Sequence, residues 1–423
     1  MLRNAYPVDI ELPFSRRPSY YISMKARYRY RFYPTTEQQS KLSRLFGCCR
    51  VVWNDALAFC RDSENLPKNG NLQKQFITQA KQSEERQWLG EVSNIPLQQS
   101  IADLGVAYGN FFASLKGKRK GIKVKPPKFK KRSGKQTARF RRGGFVLREH
   151  KVYLAKIGDV KVQWSRELPS DPSSVTVIKD CAGRYFLSFV VETQAVDIPA
   201  INDGVGIDLG IATFATFSDG QKVDAPKPLK KHLRKLRKAQ RSLSRKQKGS
   251  KRRERARLKV AKIHAKITDT RSDFLHKLST KVARENQSVA LEDLNVSGMV
   301  KNRKLSRAIS DLGWRQFRTL LEAKCSKYQR DFIVISRWEP TSQVCSCCGF
   351  RGGKLDLSVR EWQCLNCETI HDRDVNAAVN IKVAGGHSET LNGRGGKRKS
   401  TSVVAPNEAS TYRKTIQLNL FVS

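Results

Sequence analysis

Basic and aromatic residues take turns through residues 24–34 (MKARYRYRFYP), a period of two that predicts a strand with one buried face. The period then lengthens. Beyond Pro34 and Thr36, Leu42, Leu45, Phe46, Val51, Val52, Trp53, Ala56, Leu57 and Phe59 follow a helical rhythm. Residues 96–115 repeat it with Leu97, Ile101, Leu104, Ala107, Tyr108, Phe111 and Phe112, so residues 36–115 read as a small helical unit. Alternation returns from Phe145 to Thr193 in FVLREHKVYLAKI, VKVQWS, SVTVIKD and RYFLSFVVET, the pattern of antiparallel strands in a small barrel or sandwich. The strand at 26–33 is expected to join that sheet, which makes the helical unit an insertion between its strands.

Residues 194–203 (QAVDIPAIND) read as a linker, and GVGIDLGIATFATFS as a hairpin of two apolar strands. Over residues 227–267, Leu229, Leu233, Leu236 and Leu243, then Val260, Ile263 and Ile267, recur at helical spacing. Gly249 breaks the run, so a helical hairpin with one packed seam is expected. A strand at 287–294 (QSVALEDL), a helix over 307–330, a strand at 331–337 (DFIVISR) and a short helix from Asp374 complete the order. Past Gly385 the chain turns Gly-, Ser- and Lys-rich and is expected to be disordered.

Charge changes the picture most. Among 423 residues, 81 are Lys or Arg and 38 Asp or Glu, a net charge of +43. Such a surface repels itself unless a dense polyanion neutralises it, and duplex DNA carries about one charge per 1.7 Å of axis. Residues 116–142 hold 14 Lys or Arg and no acid, interleaved with Phe129 and Phe140, which suits base stacking beside phosphate contacts. Residues 227–267 hold 19 Lys or Arg and one acid, Glu254, so the outer face of the hairpin is cationic. No stretch reaches the roughly 18 to 20 apolar residues that span a bilayer, and residues 1–23 lack the apolar core of a secretory signal. A cytoplasmic protein working at a bacterial nucleoid is expected.

Four of the ten cysteines stand as two pairs, Cys345/Cys348 and Cys364/Cys367, 15 residues apart. Two such knuckles match a four-thiolate zinc ribbon, whose closed tetrahedron makes the metal structural and lets a very small module fold. Cys347 lies inside the first knuckle as a competitor; Cys48, Cys49, Cys60, Cys181 and Cys325 read as small buried hydrophobes.

Three acids carry the second signal. Asp208 lies in an apolar strand between glycines, where a carboxylate is costly unless it is paired or binds a cation. Glu292 ends the strand VALEDL with Asp293 beside it, and Asp374 opens a short helix with Asp372 beside it, either of which could be an ordinary N-cap. Ala377 and Ala378 are small enough to pack that helix closely on a sheet. A strand acid, a strand-end acid and a helix-start acid in this order can converge on one edge of a mixed sheet. There they would hold two Mg²⁺ about 4 Å apart, for phosphodiester hydrolysis. The fold class expected is multidomain α/β: a RuvC/RNase H-like nuclease with an inserted zinc ribbon, plus an interrupted β-barrel with a helical insert.

RFYPTTEQQ, GVGIDLG, VALEDLNVSGM, TSQVCSCCGF and WQCLNCETIHDRDVNAAVNI resemble the TnpB (OrfB) family of insertion-sequence proteins, compact relatives of type V CRISPR effectors. The similarity runs from about residue 24 to residue 383. The resemblance implies a wedge-type barrel over 24–35 and 128–197, and a helical recognition insert over 36–127. It further implies a RuvC-like nuclease over 198–341 and 369–384, a zinc ribbon over 342–368 and an N-terminal extension over 1–23, with a tail from 385 to 423. It places Asp208, Glu292 and Asp374 at the Mg²⁺-binding catalytic positions in preference to Asp293 and Asp372. The function implied is RNA-guided DNA cleavage, with a guide RNA derived from the transposon end and target DNA as partners. A nuclease-inactive RNA-guided repressor is the alternative, and it would be marked by loss of one acid.

Overall fold

The computed structural model describes residues 24–119, 123–196, 198–201, 203–353, 355–356 and 358–386. The expected N-terminal extension and all of the expected tail beyond Gly386 lie outside the described residues.

The chain opens on β1 (Met24–Phe32) and passes into α1 (Thr36–Asp62), whose first turn is closed by a capping box between Thr35 and Gln38. A short helix α2 (Asn69–Gln73) and irregular turns lead to α3 (Asn94–Leu115). Six strands follow: β2 (Gln136–Arg141), β3 (Phe145–Arg148), β4 (Lys151–Leu154), β5 (Gly158–Gln163), β6 (Ser174–Lys179) and β7 (Tyr185–Thr193). With β1 they form one antiparallel sheet in the order β2-β6-β7-β1-β5-β4-β3. Its two outermost strands, β2 and β3, are consecutive in the chain and joined by a tight turn in which the Gly144 amide donates to the Arg141 carbonyl. The sheet is therefore curled until its edges meet, a nearly closed barrel. As expected, β1 joins this sheet, pairing along its whole length with β7, and the helices stand between its first two strands. Tyr30, Phe32, Phe140, Phe189, Leu42, Leu57 and Leu104 share one continuous core, so insert and barrel are packed together.

Phe140 corrects the sequence reading. The two-residue period of β2 turns it inward to full burial, where it cannot stack on a base. Phe129 remains half-exposed with the Arg61 guanidinium 4.4 Å from its ring centre.

The second sheet begins with β8 (Gly204–Asp208), β9 (Ala215–Phe217) and β10 (Lys222–Val223). Then come α4 (Pro228–Ser244), α5 (Lys251–Glu285), β11 (Ser288–Glu292), α6 (Val296–Met299), α7 (Ser306–Leu312), α8 (Trp314–Lys327) and β12 (Asp331–Ile335). The sheet order is β10-β9-β8-β11-β12, with β11 parallel to both of its neighbours and β9 antiparallel to β8. A two-stranded ribbon, β13 (Glu361–Gln363) and β14 (Ile370–Asp372), precedes the last helix, α9 (Arg373–Ala384).

Two helices depart from expectation. The helix expected over 307–330 is broken at Gly313, which takes a left-handed conformation (φ 75°) and turns the chain from α7 into α8. The second arm of the cationic hairpin does not stop at 267 but runs on to Glu285. Its outer part packs on α4 through Leu236, Ala239, Ile263 and Ile267; its inner part buries Leu275, Leu278 and Val282 in the core of the second sheet. At about 1.5 Å per residue it is a rod of roughly 50 Å. The hairpin's base is fixed by the buried Asp311 carboxylate, which accepts from the Leu229 and Lys230 amides at the start of α4 and from Arg271 of α5. Cys181, expected to be buried, is exposed because it falls in the turn between β6 and β7. Among the described residues no helix is long and apolar enough to cross a membrane.

Candidate functional site

Parallel pairing delivers the first two acids together. Asp208 is the last residue of β8 and Glu292 the last of β11; Leu291 is in register with Ile207, so both acids leave the sheet at the same edge. Asp374 approaches in the first turn of α9. That helix lies against β8 because position 206 is glycine: a Cβ there would come 2.1 Å from the Ala378 carbonyl oxygen and 2.5 Å from the Lys382 amide. Ala377 and Ala378 are buried in the same contact. Burial, then the charges of Asp374 and Glu292, push the Asp208 carboxyl up to about 7. Burial, then Asp293, also raises Glu292.

The neighbouring acids have structural partners. Asp372 is the N-cap of α9, accepting from the Asp374 and Val375 amides, and pairs with Lys222 at 2.6 Å. Asp293 is gripped by Arg337 and Arg318, whose hydrogen bonds hold its carboxyl below the usual range. These two arginines were not singled out by sequence, since nothing in the local pattern marks them. The three remaining acids face one another without such pairing, apart from Arg360 at 3.5 Å from Asp374.

The four cysteines form a tighter group. Among the described residues they are the one set of three or more ligating side chains whose donor atoms all lie within 4.8 Å of one another; the carboxylates are more widely spaced. The Cys345–Cys367 and Cys348–Cys364 sulfurs are each 3.6 Å apart. That is close to the ~3.8 Å edge of a tetrahedron with metal–sulfur bonds of about 2.3 Å, so the set can hold a metal ion. Cys347 is exposed and stands outside it. The His371 imidazole lies 3.0 Å from the Cys345 sulfur and packs tilted against Trp362, with ring centres 4.9 Å apart. The module is fastened to α9: Asn376 accepts from the Ser346 amide and donates to the Val344 carbonyl, while Asn380 donates to the carbonyls of Thr341 and Val344.

Between barrel and second sheet lies a cavity of about 850 Å³ lined by Arg27, Arg29, Lys130, Lys135, Arg139, Arg166, Lys324 and Lys327. Burial draws Lys130 and Lys324 down to about 8, a cost that an anion in the cavity would relieve. The arginines of β1 were visible in sequence, but which wall they would line was not.

Fold and site together define a compact multidomain α/β protein: a nearly closed barrel faces helices α5 and α8 of the mixed-sheet unit across a cationic cavity, with a four-cysteine module hung from the last helix. The fold is shared with the solved structure titled "Cryo-EM structure of the Cas12f1-sgRNA-target DNA complex", at a TM-score of 0.51 and 12% identity over 85% of this chain and 99% of that one. The chain belongs to the TnpB family. Its residues 188–303 match the OrfB family model described as "Probable transposase", residues 314–381 the "Cas12f1-like, TNB domain" and residues 24–63 a "Helix-turn-helix domain". A "Putative RNA-guided DNA endonuclease" of Streptomyces pristinaespiralis is 46% identical over 86% of this chain and 90% of its own length. The "Putative RNA-guided DNA endonuclease InsQ" of Escherichia coli (strain K12) is 31% identical over 85% of this chain and 92% of its own.

Proposed function

We propose that this chain is a transposon-encoded, RNA-guided DNA endonuclease whose RuvC-like site is Asp208, Glu292 and Asp374. One observation carries the reading: two strand-end acids and a helix-start acid converge, and burial, reinforced by the charges of Asp374 and Glu292, holds Asp208 up to about 7. Like charges gathered at one sheet edge, with Arg360 on Asp374 the one ion pair they form among the described residues, suit a cation site. When bound there, Mg²⁺ would supply activation of water and charge stabilisation at the leaving oxygen. The protein's own part is positional. β8 and β11 set two carboxylates side by side, α9 brings the third, and Arg318 and Arg337 hold Asp293 away from them.

In this reading residues 24–35 and 128–197 are the wedge barrel and 36–127 the recognition insert. Residues 198–341 with 369–384 make up the nuclease, and 342–368 a zinc ribbon whose soft, closed donor set favours Zn²⁺. The cavity lysines and arginines and the α4–α5 hairpin would carry the guide RNA, derived from the transposon end, and its DNA target through backbone contacts. A nuclease-inactive repressor is disfavoured because all three acids are present.

The test is direct. The protein, purified with its co-expressed RNA, should cut a matched target in Mg²⁺, whereas Asp208→Ala, Glu292→Ala and Asp374→Ala should each lose at least 100-fold while retaining the RNA. Cleavage at the wild-type rate in any one of the three would remove that residue from the site.

A further inference from the structure

Trp338 is 86% exposed, an unusual position for the largest apolar side chain, and it stands in the turn that leads from β12 into the cysteine module. Three amides or hydroxyls shape that turn: the Trp338 amide donates to the Ser336 hydroxyl, the Glu339 amide to the Ser336 carbonyl, and the Thr341 amide to the Glu339 carbonyl. The indole is therefore presented by an ordered loop. Among the described residues it has no aromatic or hydrogen-bonded side-chain partner.

Its position is set by register. Ile335, the last residue of β12, is paired with Glu292. Three residues at no more than about 3.5 Å each, from a strand about 4.8 Å away, keep the Trp338 backbone within roughly 15 Å of that of Glu292. Immediately before Trp338 in the same turn is Arg337, which with Arg318 grips Asp293 beside Glu292. Both arginines are more than a third exposed, and a guanidinium engaged with one carboxylate keeps donors free. An exposed aromatic and two anchored cations thus belong to the segments that adjoin the edge where the acids emerge.

We propose that Trp338 is a stacking platform for an unpaired base of the DNA strand entering the acid site, with Arg318 and Arg337 holding the phosphates between base and scissile bond. The inference rests on the nuclease reading above. An exposed aromatic next to backbone-gripping arginines is the pairing that holds single strands without regard to sequence. A base inside a duplex would hide its face from the indole, so the platform selects an opened strand. At 3.4 Å or more per nucleotide, the span places the stacked base within about four nucleotides of the cleaved bond.

The experiment uses the full chain with its RNA and single-stranded DNA oligonucleotides carrying 2-aminopurine at successive positions. In an Asp208→Ala background, fluorescence quenching should peak within about four nucleotides of the cleavage position, vanish in Trp338→Ala and return in Trp338→Phe. In the otherwise wild-type chain, Trp338→Ala should raise KM for the DNA strand about ten-fold, the loss expected for one stacked base. It should leave the melting temperature and RNA retention unchanged, since the side chain packs on nothing, and Phe should recover most of the loss. Unchanged quenching and KM in Trp338→Ala would overturn the proposal, as would loss of RNA in place of DNA binding. Should the wild type prove unable to cut, the nuclease reading falls while the quenching series still decides the platform.

Discussion

At Asp208 the sequence and the structure make the same demand from different sides. The sequence shows a carboxylate in an apolar strand; the structure buries it and adds the two acids that press on it, and together these raise it from 3.8 to about 7. A raised carboxyl favours the folded state fully below its unfolded value and loses that contribution as pH climbs through about 7. In chelator at pH 8, Asp208→Asn should therefore melt higher than the wild type, by a free energy on the order of a few kcal/mol. The difference should close near pH 4. A variant that melts lower at pH 8 would mean that the charges do not meet. Which acid of each adjacent pair belongs to the site was not legible from residues alone, because Asp293 is withdrawn by Arg318 and Asp372 by Lys222, partners 25 and 150 positions away. Resemblance chose between them, and the proposed site leaves out the two acids that have these partners.

Among the elements, α9 and β8 were the most readable, because the small residues that let them touch are local to their own segments. GVG and the two alanines mark a close approach, and Gly206 meets the helix backbone at a distance no side chain tolerates. Gly206→Ala should lower the melting temperature by several degrees, since backbone cannot yield as side chains do. It should also cut DNA cleavage at least ten-fold by displacing Asp374. Gly90→Ala, which meets nothing within 4 Å, is the control. Equal behaviour of the two variants would show that the helix can shift without consequence. Less readable were features decided by tertiary contact. The inner half of α5 carries a mixed pattern that makes sense only when α8 and the second sheet lie against it. Phe140 looked like a stacking ring among cations until the closing of the barrel put it inside.

For the whole molecule, the excess of positive charge is organised in two places, the cavity between the sheets and the α4–α5 hairpin. Changing Arg234, Lys235, Arg237 and Lys238, all exposed on α4, to Gln should reduce the slope of log affinity for RNA against log salt by up to about three units. An unchanged slope would leave the hairpin merely solvated and move the grip to the cavity. Sequence gave the amount and the clustering of charge; the cavity needed the fold, since its walls come from β1, the loop before β2, and α8. The cysteine module shows a different economy of construction. Its first knuckle is held by Asn376 and Asn380, residues just beyond the point where the chain rejoins the sheet. Way out is thus clasped on α9, and the way back is tied to the same helix one turn earlier: Arg373 donates to the carbonyls of Asp356 and Val359, its amide donates to the Arg360 carbonyl, and Arg360 reaches Asp374. The module is therefore a splint on the first turn of α9, and a change in its return limb would be felt at the acid that turn carries.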